Sequence, residues 1–397
     1  MTARVLITGI TGFVGSHLAE RLVADGHEVH GIAFEPPPHA NLVAIARDVR
    51  IHHADLVDAD TLREAVAAAR PDTLIHLAGQ AIPSLAQRDA RATVQVNVVG
   101  TANVLAALEA RPGTHLIYAS SADVYGVPER IPVDEDAPLR PTNVYAASKA
   151  AAEALVREFG DRRDHPTVIL RPANTNGPRQ HPGLAASAFA KQIAEAEAGH
   201  APPLIKHGRL DAQRDFIDVR DVAAAYVAAM ALAPERTETY NVGTGEPVSI
   251  ARILQTLVRL SRVPVHTEVD PERVREGDAT VLALDASRFM ARAGWRPTVP
   301  LERSLGDTLD HWRVQVQRSS VALRACGAIT PACPTSTRRV SGLCGASATV
   351  SSPGWMSSRV ACSSSGNVGA WSSTACSQKA ACRWSSGAGP RRVSGRC

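Results

Sequence analysis

Short apolar runs alternate with segments of helical apolar spacing along the first half of the chain. An apolar run over residues 4–8 is followed by apolar positions at helical spacing over 13–24, which end at Asp25. Three further apolar runs, each typical of a buried strand, lie at 28–33, 73–77 and 115–119. Because helical patterns separate these runs, the sequence predicts an α/β fold with a Rossmann-type, doubly wound parallel sheet and right-handed crossovers.

Glycines at three-residue spacing join the first predicted strand to the first predicted helix. In Gly9-x-x-Gly12-x-x-Gly15, the missing side chains let the backbone approach a pyrophosphate, whose charge is met by N–H groups at the helix N-terminus. Such a triplet alone is weak evidence, since a tight turn needs only one or two glycines. Its position between a strand and a helix favours a dinucleotide site.

Tyr145 and Lys149 lie four residues apart, a spacing that puts both side chains on one face of a helix. Because a nearby ammonium favours the phenolate, we expect Lys149 to lower the pKa of Tyr145 from its usual value of about 10. The phenol would then act as a general acid or base, with Ser121 hydrogen-bonded to the same substrate oxygen. Five tyrosines and four lysines produce this spacing by chance in only about 0.05 of such chains, which makes an accidental surface pair the weaker explanation.

The composition changes near residue 318. Residues 319–397 hold nine Lys or Arg, no Asp or Glu, and all seven cysteines of the chain. The whole-chain charge of +4 therefore belongs to this segment, because the 34 basic and 39 acidic side chains before it give −5. Residues 1–318 carry no excess of basic side chains that would indicate nucleic-acid binding. Because they contain no cysteine, they have neither disulfides nor a Cys-ligated metal, and we expect no metal site.

The segment 319–397 is rich in Ser, Gly, Arg and Cys and has no apolar period. It could not bury enough surface to offset its ordering entropy, so we predict that it is disordered. Two origins stay open: a natural interaction tail, or out-of-frame translation in an Arg-rich gene, which the composition favours.

The remaining residues exceed one typical core. We expect an NAD(P)-binding domain over 1–171, to which the chain may return later, and a smaller mixed α/β substrate domain mainly over 172–315. The N-terminus enters a strand at once without the apolar core of a signal peptide, and no run of 18 apolar residues occurs. These features predict a cytoplasmic protein with no membrane partner.

Six motifs together resemble the extended short-chain dehydrogenase/reductases, over about residues 4 to 313. They are Gly9-x-x-Gly12-x-x-Gly15, His76-Leu77-Ala78, Asn97-x-x-Gly100-Thr101, Ser120-Ser121-x-x-Val124-Tyr125-Gly126, Tyr145-x-x-x-Lys149 and Arg171-Pro172-x-Asn174. The second half is most similar to the branch of the family that acts on GDP-sugars. The residues that carry this second likeness are Phe189-Ala-Lys191-Gln-Ile193, Gly208 through Phe216, and Asp218-Val-Arg-Asp221.

The resemblance implies roles for individual residues. The catalytic residues would be Ser121, Tyr145 and Lys149, with Asp123 as an additional acid/base candidate. The cofactor, NADPH or NADH, would be held by Gly9, Thr11, Gly12, Phe13, Val14, Gly15, Glu35, Asp55, Leu56, Leu77, Ala78, Tyr145 and Lys149. The substrate, a GDP-linked deoxyhexose, would be held by Ser120, Asn174, Lys191, Arg214 and Arg275. The resemblance also implies a homodimer or homotetramer, paired through helices around 98–110 and 145–160.

Several of these roles have structural alternatives. Glu35, 20 residues after Gly15, could bind the ribose hydroxyls and favour NAD, or be turned into solvent by the three prolines that follow. Asp55 could be a solvated loop carboxylate. Lys191 could lie on a solvated helix face, and Arg214 could pair with the neighbouring acids Asp211 and Asp215. In the same way, Asn174 could be a turn residue, and the residues around Arg275 depart from the family pattern.

The resemblance implies reduction of the C4 keto group of GDP-4-dehydro-6-deoxy-D-mannose, with GDP-mannose 4,6-dehydration as the alternative. Related dehydratases carry Glu two residues after the catalytic Ser or Thr, whereas this chain has Asp123, which is shorter by about 1.5 Å. The second strand also ends without the arginines by which those dehydratases hold NADP. Both departures favour the reductase. A 4-epimerase and a non-catalytic NAD(P)-binding regulator are the remaining alternatives.

Overall fold

A computed structural model describes residues 2–162, 165–273 and 281–327, with side chains as far as residue 318. The strands are β1 (Arg4–Thr8), β2 (Glu28–Ala33), β3 (Val49–His53), β4 (Thr73–His76), β5 (His115–Ala119), β6 (Thr167–Pro172), β7 (Asn174–Asn176), β8 (Leu204–His207), β9 (Gln213–Asp218), β10 (Glu238–Val242), β11 (Pro247–Ser249), β12 (His266–Val269) and β13 (Val281–Leu282).

The α-helices are α1 (Phe13–Ala24), α2 (Ala59–Ala69), α3 (Pro83–Arg88), α4 (Ala90–Val94), α5 (Gly100–Leu108), α6 (Val144–Arg162), α7 (Ala185–Glu197), α8 (Val219–Ala229), α9 (Ile250–Leu260), α10 (Ser287–Ala293) and α11 (Leu301–Gly327). Short 3-10 turns lie at Ala40–Ile45, Ala122–Tyr125 and Pro271–Arg273, and a π-helical segment, Gln95–Val99, joins α4 to α5.

Seven strands form one parallel sheet in the order β10-β6-β5-β4-β1-β2-β3. In β1, Val5 pairs with Val29 of β2 on one side and with Thr73 of β4 on the other. The strand order reverses between β1 and β4, and such sheets bind ligands in the crevice at the carboxyl ends of these strands. The predicted Rossmann-type parallel sheet is confirmed.

The strands read as continuous apolar runs because helices cover both faces of the sheet. Successive side chains of a strand point to opposite faces. Val5 and Ile7 accordingly pack with α1 and α8, whereas Leu6 packs with α2 and α5. Each fully buried aliphatic side chain contributes about 1.5–3 kcal/mol of transfer free energy.

The second half of the chain adds a mixed α/β layer. Strand β9 pairs with β7 and β13 in parallel and with β11 in antiparallel orientation, and β8 pairs with β12. Helices α7, α9 and α11 enclose a separate core with Phe189, Ile253 and Leu309 at less than 5% exposure. The chain also returns to the main sheet, since β10 pairs with β6.

Helix α11 continues through residues 319–327, which the sequence predicted as disordered. The prediction is wrong for these nine residues, where Ala322, Leu323, Arg324 and Ala325 favour a helix. The rest of the predicted tail lies outside the described residues. Within the part of the chain that the structure describes, no helix is both long and apolar enough to span a membrane.

Candidate active site

The glycine turn between β1 and α1 is closely packed. Gly9 has φ +72°, a left-handed conformation that favours glycine, and a Cβ there would lie 2.9 Å from Ala78 Cα. A Cβ on Gly15 would lie 2.2 Å from the Gly9 carbonyl oxygen, so α1 can start this close to β1 only with glycine. Gly12 immediately precedes α1 and donates its N–H to the Gly9 carbonyl at 3.0 Å.

The N-terminus of α1 suits an anion. Its first turn contains no acidic residue. Its N-cap residue is Gly12, which has no side chain that could accept a hydrogen bond from the first N–H groups of the helix. The N–H groups of Phe13 and Val14 lie in that first turn, where the helix dipole also favours negative charge. Asn41 donates to the Thr11 carbonyl at 2.9 Å and holds the turn from outside. The residues present therefore fit a dinucleotide pyrophosphate.

The neighbouring strand ends carry the other predicted cofactor residues. The N–H of Ala54 donates to the Ala33 carbonyl at 3.2 Å, so Glu35 and Asp55 follow adjacent strand ends. Glu35 is exposed, and Asp55 accepts from the N–H of Val57 at 3.0 Å.

Backbone contacts hold the loops that carry the remaining cofactor candidates. The Leu56 carbonyl accepts from Asn103 at 2.8 Å. Leu77 donates its N–H to the Thr8 carbonyl at 3.3 Å, and Ala78 donates to the Thr8 hydroxyl at 3.1 Å. These contacts hold the chain after β4 beside the glycine turn.

The trio of Ser121, Tyr145 and Lys149 converges at the end of β5. Ser121 accepts from the N–H of Asp123 at 3.2 Å, and its side chain lies near the phenol of Tyr145. Lys149 lies one helical turn after Tyr145 on α6 and donates from Nζ to the Ala119 carbonyl at 2.7 Å. Tyr145 and Lys149 are both buried, at 9% and 5% exposure. The geometry brings the three predicted side chains together.

The electrostatics of the trio differ from the expectation. Burial raises the pKa of Tyr145, the charge of Asp123 raises it further, and only the hydrogen bond from Ser121 opposes them. Burial also lowers the pKa of Lys149 to about 8. The expected lowering of the Tyr145 pKa is therefore wrong for the protein chain alone, because desolvation of the phenolate and the charge of Asp123 both raise it.

A cleft of about 490 Å³ lies close to the trio, since Asp123, two residues after Ser121, and Asn143, two residues before Tyr145, are among its lining residues. Its lining includes Asp123, Asn143, Asn174, Phe189, Arg88, Arg209, Arg214 and Arg273. Four guanidinium groups line one cleft, a composition that suits a phosphate-bearing ligand.

Only some of the predicted substrate residues line the cleft. Asn174 and Arg214 line the cleft, and the acids beside Arg214 bond elsewhere: Asp211 to Arg209, and Asp215 to Thr244. Arg275 lies outside the described residues.

Two of the predicted substrate contacts do not face the cleft. The Ser120 hydroxyl is buried and donates to Glu153 at 2.8 Å. Lys191 lies 3.6 Å from Glu195 and above the Trp312 ring, on the other side of α7 from the lining residue Phe189. Their assignment to the substrate is corrected, because each side chain already has partners within the protein.

Sequence reasoning missed three of the cleft arginines. Arg88 comes from α3, Arg209 from the loop before β9, and Arg273 from the turn before β13. They are separated by more than 60 residues along the chain, so no local spacing marks them. Only the excess of arginine over lysine hinted at them.

Comparisons with known proteins agree with this geometry. The family model of GDP-mannose 4,6 dehydratase matches residues 6–308. The GDP-6-deoxy-D-mannose reductase of Pseudomonas aeruginosa is 34% identical over 321 residues, which cover 80% of this chain and 99% of that protein.

Solved structures give the same result. The structure of RMD from Pseudomonas aeruginosa with NADPH superposes with a TM-score of 0.67 at 32% identity, covering 79% of this chain and 100% of the other. The Thermus thermophilus UDP-glucose 4-epimerase with NAD gives a TM-score of 0.70 at 32% identity, covering 78% and 99%. The predicted enzyme class is confirmed. The chain belongs to the GDP-mannose 4,6-dehydratase family of NAD(P)-dependent, extended short-chain dehydrogenase/reductases.

Proposed function

We propose that this enzyme reduces the C4 keto group of GDP-4-dehydro-6-deoxy-D-mannose to a GDP-6-deoxyhexose such as GDP-D-rhamnose. The observation that carries the proposal is the trio, in which buried Tyr145 lies near Ser121 and one helical turn before Lys149, close in sequence to Asp123 and Asn143 of the arginine-lined cleft. The similarity to the Pseudomonas aeruginosa GDP-6-deoxy-D-mannose reductase supports the choice of sugar and nucleotide.

The chain binds NADPH or NADH. Gly12 and the first turn of α1 would hold the pyrophosphate, while Asp55 and Leu56 would contact the adenosine half. Exposed Glu35 at the end of β2 disfavours a 2′-phosphate, so we infer a preference for NADH. When bound, the reduced nicotinamide supplies the hydride that C4 of the keto sugar accepts.

Tyr145 supplies the matching proton. Because burial and Asp123 raise its pKa, the phenol is protonated at neutral pH and can donate to the C4 oxygen as negative charge develops there. The Ser121 hydroxyl hydrogen-bonds the same oxygen and orients it. Lys149, held by the Ala119 carbonyl, lies one helical turn after Tyr145, and its ammonium would stabilise the phenolate that remains once the proton has been donated.

The substrate occupies the cleft. Arg214 would pair with the diphosphate, since a planar guanidinium group binds phosphate oxygens in a bidentate manner. Asn174 would contact the sugar. Nucleotide-sugar binding by residues 172–315, apart from the strand that returns to the main sheet, is part of this proposal.

The residue two positions after Ser121 separates the candidate reactions. Asp123 lines the cleft, but its carboxylate is about 1.5 Å shorter than the Glu of related dehydratases, and misplacement by about 1 Å costs roughly 100-fold. The dehydratase remains the second candidate.

Mixing the enzyme with the GDP-linked keto sugar and NADH or NADPH tests the proposal. Stoichiometric loss of the reduced-nicotinamide absorbance is expected, and comparison of the two cofactors gives the preference. Conversion of GDP-mannose to a keto product without net cofactor consumption would instead identify a dehydratase. Tyr145→Phe should lower turnover by about 10²–10⁴-fold with cofactor binding intact; unchanged turnover would refute the catalytic assignment and leave a cofactor-binding regulator.

We further propose that the enzyme is a homodimer or homotetramer. Val94, Val99 and Leu155 are large apolar side chains left 37–45% exposed on α4, the π-helical segment and α6. Pairing of these helices between two copies would cover them. Sedimentation at micromolar concentration distinguishes the assembly from a monomer. The cytoplasmic location stays a prediction.

A further inference from the structure

Glu153 is a buried carboxylate that the reaction does not use. It lies on α6 one helical turn after Lys149, with 2% of its side chain exposed. Its Oε2 atom accepts from the Ser120 hydroxyl at 2.8 Å and from Arg171 Nε at 3.1 Å, and its Oε1 atom accepts from Arg171 Nη2. Its Oε1 atom also accepts from Arg157 Nη2 at 3.3 Å, a side chain at the edge of this buried group with 42% exposure.

Arg171, at the end of β6, extends this contact to a second point. Its Nη1 atom donates to the Tyr125 hydroxyl at 2.7 Å and to the Glu135 carbonyl at 3.1 Å. The Tyr125 hydroxyl in turn donates to Asn241 at 2.7 Å. The guanidinium also lies 4.9 Å from the centre of the Tyr125 ring.

The two contacts enclose Ser121. Ser120 immediately precedes it and is held by Glu153, while Tyr125 ends the 3-10 turn that Ser121 caps and is held by Arg171. One ion pair thus fixes the loop on both sides of Ser121. The same carboxylate belongs to the helix that carries Tyr145 and Lys149.

Stability alone does not explain such an arrangement. Desolvating two charges largely offsets their attraction, and apolar replacements of buried ion pairs are often neutral or stabilising. A bidentate pair, however, fixes distance and angle more strictly than apolar packing does.

We propose that Glu153 and Arg171 are positioning residues that set the distance between the Ser121 hydroxyl and the Tyr145 phenol. This inference rests on the proposed function, in which both hydroxyls act on one substrate oxygen. Loss of either tether moves Ser121 relative to α6. Because misplacement by about 1 Å costs roughly 100-fold in rate, turnover depends on residues that touch neither substrate nor cofactor.

The test removes one tether at a time and keeps the ion pair. Ser120→Ala deletes the hydroxyl bound to Glu153, and Tyr125→Phe deletes the hydroxyl bound to Arg171. Matched controls are Ser304→Ala, which removes a buried hydroxyl bound to Asn176, and Tyr240→Phe, which removes one bound to Glu238. Kinetics over a range of pH and thermal unfolding are measured for each.

Both tether variants should lower kcat by about 10- to 100-fold while KM for the sugar nucleotide changes less than about twofold. Ser120→Thr keeps the hydroxyl and should restore kcat even if it packs less well. The controls should leave kcat and its pH profile unchanged.

Tether variants that behave like their controls would overturn the inference, as would a rise in KM without loss of kcat, which would place Ser120 against the substrate. If Ser120→Ala does not fold, Tyr125→Phe and Ser120→Thr decide the matter by the same criteria. Tyr145→Phe distinguishes a failure of the proposed function from a failure of the positioning role. Retained turnover in that variant refutes the proposed function, whereas lost turnover with unaffected tether variants refutes only the positioning role.

Discussion

Alanine substitutions at two glycines of the cofactor turn should change two different properties. Gly12→Ala should weaken cofactor binding, whereas Gly15→Ala should lower the stability of the cofactor-free protein. A Cβ on Gly15 would lie 2.2 Å from the Gly9 carbonyl oxygen, well inside ordinary contact, with two further backbone atoms at 2.9 Å. Backbone must move, which costs about 1–3 kcal/mol or more. At Gly12 the backbone is extended, with φ −74° and ψ −177°, and the nearest atom is 3.2 Å from the new Cβ.

Gly12→Ala should therefore destabilise the cofactor-free protein much less than Gly15→Ala but bind cofactor weakly, because its methyl group occupies the approach to the helix N-terminus. At a cofactor concentration of 100 Kd, binding stabilises the native state by about 2.7 kcal/mol. A 100-fold weaker Kd leaves only about 0.4 kcal/mol. Gly15→Ala should instead lower the melting temperature of the cofactor-free protein, by roughly 2–4 °C per kcal/mol.

Thermal unfolding with and without NADPH or NADH measures both quantities. Gly26→Ala is the control: its φ of +81° makes alanine unfavourable, but no atom lies within 4 Å of the new Cβ. Gly26→Ala should lower the melting temperature of the cofactor-free protein and keep the full increase in melting temperature that cofactor produces. The reasoning is refuted if Gly12→Ala retains the full shift, or if it destabilises the cofactor-free protein as much as Gly15→Ala.

Two other substitutions give direct tests. Burial lowers the pKa of Lys149 from 10.5 to about 8, so the unfolded chain binds more protons between these values and stability rises with pH there. Lys149→Met should abolish turnover yet raise the melting temperature at pH 7, by an amount that shrinks as pH increases from 8 towards 10.5; a pH-independent change would contradict this. Arg214→Ala should raise KM for the sugar nucleotide by about 10- to 100-fold through loss of a charge-assisted phosphate contact, while Lys191→Ala, whose ammonium lies beside Glu195, should change it little. Equal effects of the two variants in steady-state kinetics would contradict the cleft assignment.

Local sequence signals identified the first half of the fold well. The apolar runs at 4–8, 28–33 and 115–119 coincide with β1, β2 and β5, because a strand buried on both faces is continuous in sequence. Tyr145 and Lys149 could be paired because the helix period alone sets their relation. Glu153 shares that face by the same period, four residues beyond Lys149, and this signal was available but unused.

Contacts between distant segments could not be predicted in this way. Lys191 lies beside Trp312, 121 residues later, and nothing near position 191 indicates which face of α7 is covered. Ser120 and Ser121 are adjacent and chemically identical, yet the strand's alternation turns one towards Glu153 and the other towards Tyr145. The pKa of Tyr145 depends on how much water the assembled fold excludes, which a spacing of four residues does not indicate.

The return of β10 to the main sheet determines how this enzyme could be divided. Strand β6 forms backbone hydrogen bonds with β5 on one side and β10 on the other. A fragment that ends at residue 171 would expose the second side of β6 along its length, and an unpaired strand edge recruits other chains. Recombination therefore could not transfer the cofactor-binding half as one continuous segment. The strand that completes its sheet, β10, follows most of the residues that line the substrate cleft in the sequence.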